Sequence, residues 1–320
     1  QCKELDDNHP SKTDSKDPKT IAKLVIDGRY NVPYIPEGVY AELRIAMNCR
    51  DRIVRELVII QNRIERWLKI YFPEYHEVFA DFEAKSSLLV LSSTPLPADV
   101  IKAGVDGVNR IWRENKLRAV GMKRAQTLYE TAKRSMGCTE GSHAARMELR
   151  LLLEDYHTKK AQYDGVMAVV EDLCTQIPAV QKLTAIKGIG LLTVAGFFAE
   201  VGDLGRFQSP KQIQKLAGLA IRENSSGKHR GQSGISKRGR RRLRTLLFRA
   251  VLPLVATNRE FGEIHSYYTN RKDNPLKKKQ SIIALCCKLI RVFFALATKD
   301  EDYDPVRLLG DIHHPVAAAA

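Results

Sequence analysis

The sequence predicts a mainly α-helical protein, with long antiparallel coiled-coil helices in its middle and an all-α C-terminal part that contains a helix-hairpin-helix. Three observations predict it. Apolar residues recur in heptads over residues 37–72 and again over 143–177. Gly188 and Gly190 make a tight turn between two short helical segments. From residue 242 apolar side chains fall at helical spacing, at Leu243, Leu246, Leu247, Ala250, Val251 and Leu254, and residues 282–297 are apolar nearly all round.

Residues 1–36 are polar and hold one short helix, Asp17 to Gly28, with Ile21, Leu24, Val25 and Ile26 apolar and Gly28 as its stop. It reads as the last helix of a domain whose sheet lies upstream. Residues 37–177 form the coiled-coil hairpin. Its first helix sets Val39, Ala46, Ile53, Ile60 and Trp67 at one seam position, with Leu43, Arg50, Leu57, Ile64 and Tyr71 at the other; Pro73 stops it. The second sets Leu149, Tyr156, Tyr163, Val170 and Ile177 beside Leu153, Lys160, Met167 and Cys174. Each seam thus carries one basic residue, Arg50 or Lys160. Two helices of a larger bundle would show the same pattern. The insert at 74–141 is a small helical cap. In it Pro95 and Pro97 precede an amphipathic helix, Ala98 to Arg113, and a second helix, Gly121 to Ser135, is ended by Gly137. Residues 178–312 form the C-terminal domain, where Pro253 should kink or end its helix. Residues 313–320 are a tail.

Composition bounds the partners. The 320 residues are 44% hydrophobic and 7% aromatic, which excludes a disordered chain. Lys and Arg number 52 against 37 Asp and Glu, a net charge of +15, and the pI is near 9.5. Such a balance calls for a polyanionic partner, with nucleic acid first, ahead of a ribosomal or membrane-surface role. The cysteines, Cys2, Cys49, Cys138, Cys174, Cys286 and Cys287, form no CxxC pair, so no structural zinc site is expected, and they fit a reduced intracellular protein. No stretch reaches about 18 uncharged apolar residues, so no membrane span is expected, and no signal peptide is expected either. The chain does not begin with Met, and an N-terminal part is expected to precede it.

Three stretches carry chemistry. In Ile186-Lys187-Gly188-Ile189-Gly190 the missing side chains let backbone N–H groups approach a phosphate, and the helix that follows adds its positive end. This is the helix-hairpin-helix pattern of binders that hold DNA without reading its sequence. A plain bend remains the alternative. Asn224-Ser225-Ser226-Gly227 is by itself a turn. The residues after it, however, include Lys228, Arg230, Lys237, Arg238, Arg240, Arg241, Arg242, Arg244 and Arg249 with no carboxylate between 228 and 249. A serine beside such a patch can meet a phosphodiester, with guanidinium groups offsetting its charge and stabilising the pentavalent transition state. His229, three residues from Ser226, could serve as a base or be a plain solvated loop histidine, and Lys228 reads the same way. Asp14 and Asp17, three apart at a helix start, can share a hard cation, or simply cap the helix.

Together KTDSKDPKTIAKLV, IKGIGLLTVAGFFAEVGD with RFQSPKQIQKLAGL, and ENSSGKHRGQSGISKRGRRRLRTLL resemble, in this order, the IS110 family of insertion-sequence transposases. The resemblance implies an N-terminal RNase H/RuvC-like α/β domain of the DEDD type, of which residues 1–36 would be the C-terminal remnant, and a C-terminal serine transposase domain. It implies that Asp14 and Asp17 are the last two acids of an Mg²⁺ site whose first Asp and Glu lie upstream. It implies that Ser226, or else Ser225, attacks a DNA phosphodiester, forming a phosphoserine and leaving a 3′-hydroxyl. It further implies a structured guide RNA that selects donor and target DNA, a homo-oligomer (dimer or tetramer), and action on the nucleoid in a prokaryotic cytoplasm. The competing readings are a helix-hairpin-helix DNA binder without chemistry and an RNA-binding scaffold built on the coiled coil.

Overall fold

The computed structural model describes residues 16–30, 33–222, 225–226, 229–230, 234–299, 301–310 and 312. In chain order the helices are α1 (Lys16–Ile26), α2 (Gly38–Tyr71), α3 (Lys85–Ser93), α4 (Pro97–Glu114), α5 (Met122–Lys133), α6 (Ser142–Thr175), α7 (Ala179–Thr184), α8 (Leu191–Val201), α9 (Pro210–Leu216), α10 (Arg241–Thr257), α11 (Arg259–Asn270), α12 (Lys278–Thr298) and α13 (Pro305–Leu309). Between α9 and α10 lie four two-residue strands, β1 (Ile221–Arg222), β2 (Ser225–Ser226), β3 (His229–Arg230) and β4 (Gly234–Ile235). The chain is mainly helical, as its periodicity predicts. Its C-terminal part is not all-α, because these strands interrupt it.

Helix α1 ends as expected: Gly28 takes φ +66°, and the Arg29 N–H closes on Leu24 O at 2.8 Å, which only a left-handed residue allows cheaply. The long helices α2 and α6 lie side by side and run in opposite directions. Trp67 Nε1 donates to Ala145 O at 3.0 Å, Lys159 meets Glu56 at 2.7 Å and Arg50 lies over the Tyr163 ring at 5.7 Å. As one partner's number falls from 67 to 50 the other's rises from 145 to 163. The predicted seam of α2 is buried or half-buried throughout. In α6 one seam position differs: Lys160 is exposed, turned back over Tyr163 at 5.0 Å and toward Asp164 at 3.6 Å. A lysine ammonium is too strongly hydrated to stay in an apolar seam, and its neighbour Lys159 reaches a carboxylate instead.

The two long helices cross two apolar cores. One packs the C-terminal half of α2 and the N-terminal half of α6 against the insert, around Trp67, Phe72, Tyr75 and Trp112. The insert holds more than the two predicted helices: a 3₁₀ turn at Pro73–Glu77 and α3 also form, and α4 is broken at Gly104 (φ 67°, ψ 177°). The buried rings keep their polar ends satisfied, with Trp112 Nε1 donating to Ser86 O at 2.9 Å and Tyr75 Oη bonded to Ser87 Oγ at 2.8 Å. Gly137 closes the insert because any Cβ there would sit 2.1 Å from Tyr71 O.

The second core joins the N-terminal turns of α2 and the end of α6 to α7–α12. At its centre Phe197 packs edge-on to Phe293, ring centroids 5.0 Å apart. Gly196 lets α8 come close to α10 and α2, since a Cβ there would lie 3.0 Å from Leu246 Cδ1 and 3.6 Å from Met47 Cε. Helix α10 runs through Pro253 to Thr257 rather than ending there. Helix α12 is long and apolar enough by length and composition to cross a membrane, although Lys288 and Arg291 interrupt its apolar run, and half of that window is buried within this core. Its Cys286 is buried, which pushes the thiol up to about 12; among the described residues, the cysteines are free thiols.

Candidate nucleic-acid interface

The four short strands between residues 221 and 235 pair as two ladders, together called the arm. Its outer ladder pairs Ile221 with Ile235 and Arg222 with Gly234; its inner ladder pairs Ser225 with Arg230 and Ser226 with His229, both antiparallel. The serines therefore stand on a strand, not in a turn. Residues 227 and 228, Lys228 among them, lie outside the described residues. Short alternating polar residues broken by glycines suit a two-stranded ribbon, a pattern that the turn residues Asn224 and Gly227 masked at the sequence level.

The arm's root is rigid. Helix α9 ends on Gly218 (φ +69°), with Leu219 N–H bonded to Gln214 O at 2.8 Å. The returning strand crosses this cap: Lys237 N–H meets Gly218 O at 3.0 Å and Arg240 N–H meets Leu216 O at 2.7 Å. Gly239 (φ +145°) is the crossing point, where a Cβ would lie 2.4 Å from Leu216 O and 2.7 Å from Gly218 N. Arg244 locks the crossing by donating to Ala217 O at 2.9 Å and Lys237 O at 3.3 Å.

The arginines at the start of α10 divide into two kinds. Arg240 donates to Glu200 O at 2.5 Å and lies 3.6 Å from the Glu200 carboxylate. Arg242 reaches that carboxylate at 3.5 Å, Asp51 at 2.5 Å and Asn48 Oδ1. Arg240, Arg242 and Arg244 thus make contacts within the fold, although Arg242 stays half-exposed, whereas along the sequence they stand undivided within one basic run. Four arginines at the positive end of a helix repel one another and its dipole, so the fold supplies carboxylates across the gap. Lys237, Arg238 and Arg241 remain exposed around the root. Arg230 is placed by its backbone alone.

Sequence reasoning missed what surrounds this cluster. Arg44 donates to Ala199 O at 2.8 Å and to Glu200 O at 3.2 Å, while Arg206 donates to Val201 O at 2.9 Å. With Arg240 they satisfy the last carbonyls of α8. Burial, then the neighbouring Arg240 charge, pulls the Arg44 guanidinium below its ordinary value. Arg206 also lies 3.8 Å from the Tyr34 ring centre, and Gly202 makes room for that ring. Arg206 and Val201 are five residues apart, but the other partners stand some 40 to 190 residues apart, so no local signal could have found the cluster. Exchanging Glu200 for Gln is expected to lower stability by about 1–3 kcal/mol, since two arginines lose their charged partner on a carboxylate only 16% exposed. A thermal melt that matches the parent protein would refute this role.

The Gly-x-Gly turn lies elsewhere. Gly188 (φ +94°) packs on the far end of α10, where a Cβ would meet Thr257 Oγ1 at 2.8 Å and Leu254 Cδ1 at 3.0 Å, and Asn258 Nδ2 holds Lys187 O at 3.1 Å. Gly188 is thus required by packing. Gly190, the N-cap of α8, faces open space, and Lys187 is exposed. The turn and the arm sit at opposite ends of α10, about 25 Å apart at ~1.5 Å per residue, so the fold does not merge them into one site.

Asp14 lies outside the described residues, and Asp17 is placed only by its backbone, in the first turn of α1. Among the described residues no three His, Cys, Asp or Glu side chains converge as a metal site. Asp14 and Asp17 supply two carboxylates, half of the four-acid set that the resemblance implies for the Mg²⁺ site, so these residues alone do not complete that set.

Comparison with known proteins finds matches at both ends of the chain. The profile of the Transposase IS116/IS110/IS902 family matches residues 180–268, which contain the Gly-x-Gly turn, the arm and α10. A DEDD-type IS110 transposase profile matches residues 1–73. The transposase of insertion sequence element IS1111A from Coxiella burnetii is 32% identical over 123 residues, 38% of this chain and 34% of that protein. A 44.8 kDa protein of insertion element IS116 from Streptomyces clavuligerus is 24% identical over 300 residues, 92% of this chain and 73% of that protein. The pilin gene-inverting protein of Moraxella bovis is 34% identical over 126 residues, 38% of each chain. The chain thus spans about a third of the IS1111A protein and nearly three quarters of the IS116 protein. With one family matched at both ends and relatives along its length, this chain belongs to the IS116/IS110/IS902 family of insertion-sequence transposases.

Proposed function

We propose that the protein cuts and rejoins DNA for its insertion sequence, with Ser226 on the arm as nucleophile and Ser225 as the alternate. The observation that carries this reading is the arm itself: two serines on a short ribbon, fixed at a rigid root and ringed there by exposed Lys237, Arg238 and Arg241. In the step proposed, Ser226 Oγ attacks the phosphorus of a phosphodiester. The Oγ–P bond forms and the bond from phosphorus to the 3′ oxygen breaks. The hydroxyl proton leaves to a base, and the 3′ oxygen takes up a proton to leave as a 3′-hydroxyl. Rejoining reverses the step with another 3′-hydroxyl. His229, opposite Ser226 in the ladder, is the proposed base. Lys228, Arg230 and the root cations offset the phosphate charge.

The α7–turn–α8 unit is proposed as a helix-hairpin-helix that holds the backbone through Lys187 and the open Gly190. Binding of this kind does not read bases, so choice of site is assigned to a structured guide RNA. The working form is proposed to be a homo-oligomer, a dimer or tetramer, acting on nucleoid DNA in the cytoplasm. Residues 1–36 are proposed as part of a RuvC-like domain. Mg²⁺ enters only if acids beyond Asp14 and Asp17 complete its site, and no step is assigned to it.

The test is trapping of a covalent protein–DNA adduct from the full-length protein, duplex DNA, guide RNA and Mg²⁺ on a denaturing gel. Ser226→Ala should abolish the adduct and Ser225→Ala should leave it. Loss with Ser225→Ala alone would move the nucleophile by one residue. An adduct that persists when both serines are alanine rules out serine attack, leaving a DNA binder without this chemistry.

A further inference from the structure

We propose that the loop joining α4 to α5 is a second site for a nucleic-acid duplex, gripping its phosphodiester backbone at the opposite end of the α2–α6 pair from the arm. The inference extends the nucleic-acid reading above but needs neither the serine nor the arm.

Five cations, Arg113, Lys116, Arg118, Lys123 and Arg124, are all exposed around this loop. Glu114 is the single carboxylate between residues 110 and 129. Two acids on the neighbouring 3₁₀ turn, one of which lines the same surface hollow as Lys123 and Arg124, are already engaged. Glu77 pairs with Arg134, and Glu74 accepts from Ser135 Oγ at 2.6 Å and from Met136 N–H at 2.9 Å. Among the described residues Lys116, Arg118 and Lys123 form no ion pair. Contrast the arginines of α10, for which the fold supplies Glu200 and Asp51. Like charges left uncompensated cost stability in the free protein and are offset when a polyanion binds.

The loop also holds its cations in place. Trp112 and Val120 anchor its two ends in the core. Leu117 N–H bonds to Trp112 O at 2.9 Å, and Lys116 is held at φ +59°. Arg113 braces the turn through Leu117 O at 3.0 Å, and Arg124 lies over the Phe79 ring at 5.8 Å. A fixed set of charges suits a regular backbone better than a flexible tail does. The ring that follows in α5, Tyr129, is half-buried and covered by Lys133 Nζ at 4.7 Å, so it is not an open stacking platform for unpaired bases. That favours a duplex over a single strand.

The geometry also fits one ligand reaching both sites. Asp51, which holds Arg242 at the arm's root, and Tyr71, where α2 meets the insert, are about 30 Å apart along the helix at ~1.5 Å per residue. One turn of duplex is about 34 Å.

The experiment measures binding of the full chain to duplexes of about 30 base pairs, one DNA and one RNA, across a salt series by fluorescence anisotropy. The variant Lys116→Gln, Arg118→Gln, Lys123→Gln keeps the side-chain stems and changes only exposed charges; the comparator is Arg238→Ala with Arg241→Ala. On DNA the triple variant should flatten the log–log salt slope by about 2–3, near 0.9 for each phosphate no longer neutralised, and weaken binding at least tenfold at ~0.15 M salt. A change in the DNA arm, the RNA arm or both supports the site and identifies its source of phosphate. Unchanged slopes on both duplexes overturn it. If only the Arg238/Arg241 variant loses affinity, the arm's role stands and this one falls. If the triple variant loses affinity while no serine adduct forms in the parent, the loop stands and the serine reading falls.

Discussion

Replacing Gly239 with alanine is expected to loosen the arm while leaving the helical body intact. The residue sits at φ +145°, and its added Cβ would press on Leu216 O at 2.4 Å and Gly218 N at 2.7 Å, both backbone atoms. Neither can yield as a flexible side chain would, so the crossing of strand and helix cap must open. A strained backbone of this kind costs of the order of 1–3 kcal/mol. The loss should be local, because the hydrogen bonds at stake are Lys237 N–H to Gly218 O and Arg240 N–H to Leu216 O. Amide exchange at Lys237 and Arg240 should accelerate by about tenfold or more, since ~1.4 kcal/mol is a factor of ten. Amides within α2 and α6 should keep their protection. In the adduct assay the yield should fall with the arm's rigidity, even though both serines are present. Normal protection at Lys237 and Arg240 in the alanine variant would show that the root is not organised around this glycine.

Phe197→Ala should have the largest effect on stability. The ring is fully buried at the centre of the second core, edge-on to Phe293 at 5.0 Å and to Phe198 at 5.7 Å. Truncating a buried phenylalanine costs about 3–5 kcal/mol, through lost transfer energy and the cavity left behind. Because α8 meets both α2 and α10 there, the damage should reach the arm's root as well as the Gly-x-Gly turn. Leu151→Ala, on the outer face of α6 where the residue is 51% exposed, should stay within about 0.5 kcal/mol of the parent protein. Denaturant titration of the two variants measures the difference. Equal midpoints would mean that the core around Phe197 does not carry the fold's stability.

Much of the helical framework was legible because its signals are local. Heptad spacing marked α2 and α6 within a residue or two, and Gly28 and Pro73 each stand at a helix end, whereas α5 stops at Lys133, short of Gly137. Helix α3 was not legible, because its nine residues carry neither a clear period nor a cap. The arm was misread for a related reason: four two-residue strands are too short to show alternation, and Ser-Ser-Gly is strong turn vocabulary. Lys160 was misplaced because a repeat of seven marks a position but cannot say whether an ammonium will stay in it.

The candidate site divides the same way. Composition and motif order pointed to a nucleic-acid partner, and the Gly-x-Gly turn, the serine pair and the basic run were each visible in the chain. Their physical roles were not. Whether Arg242 faces a ligand or Asp51 depends on a residue 191 positions away. Whether Gly188 serves a phosphate or Thr257 depends on how α10 packs. By itself the sequence determined the helices, their ends, the excess positive charge and the family, because periodicity, punctuation and motif order are written along the chain. Only the tertiary structure decided which cations are spent on the fold and which stay free, because a charge is neutralised by whatever the packing brings near it in space.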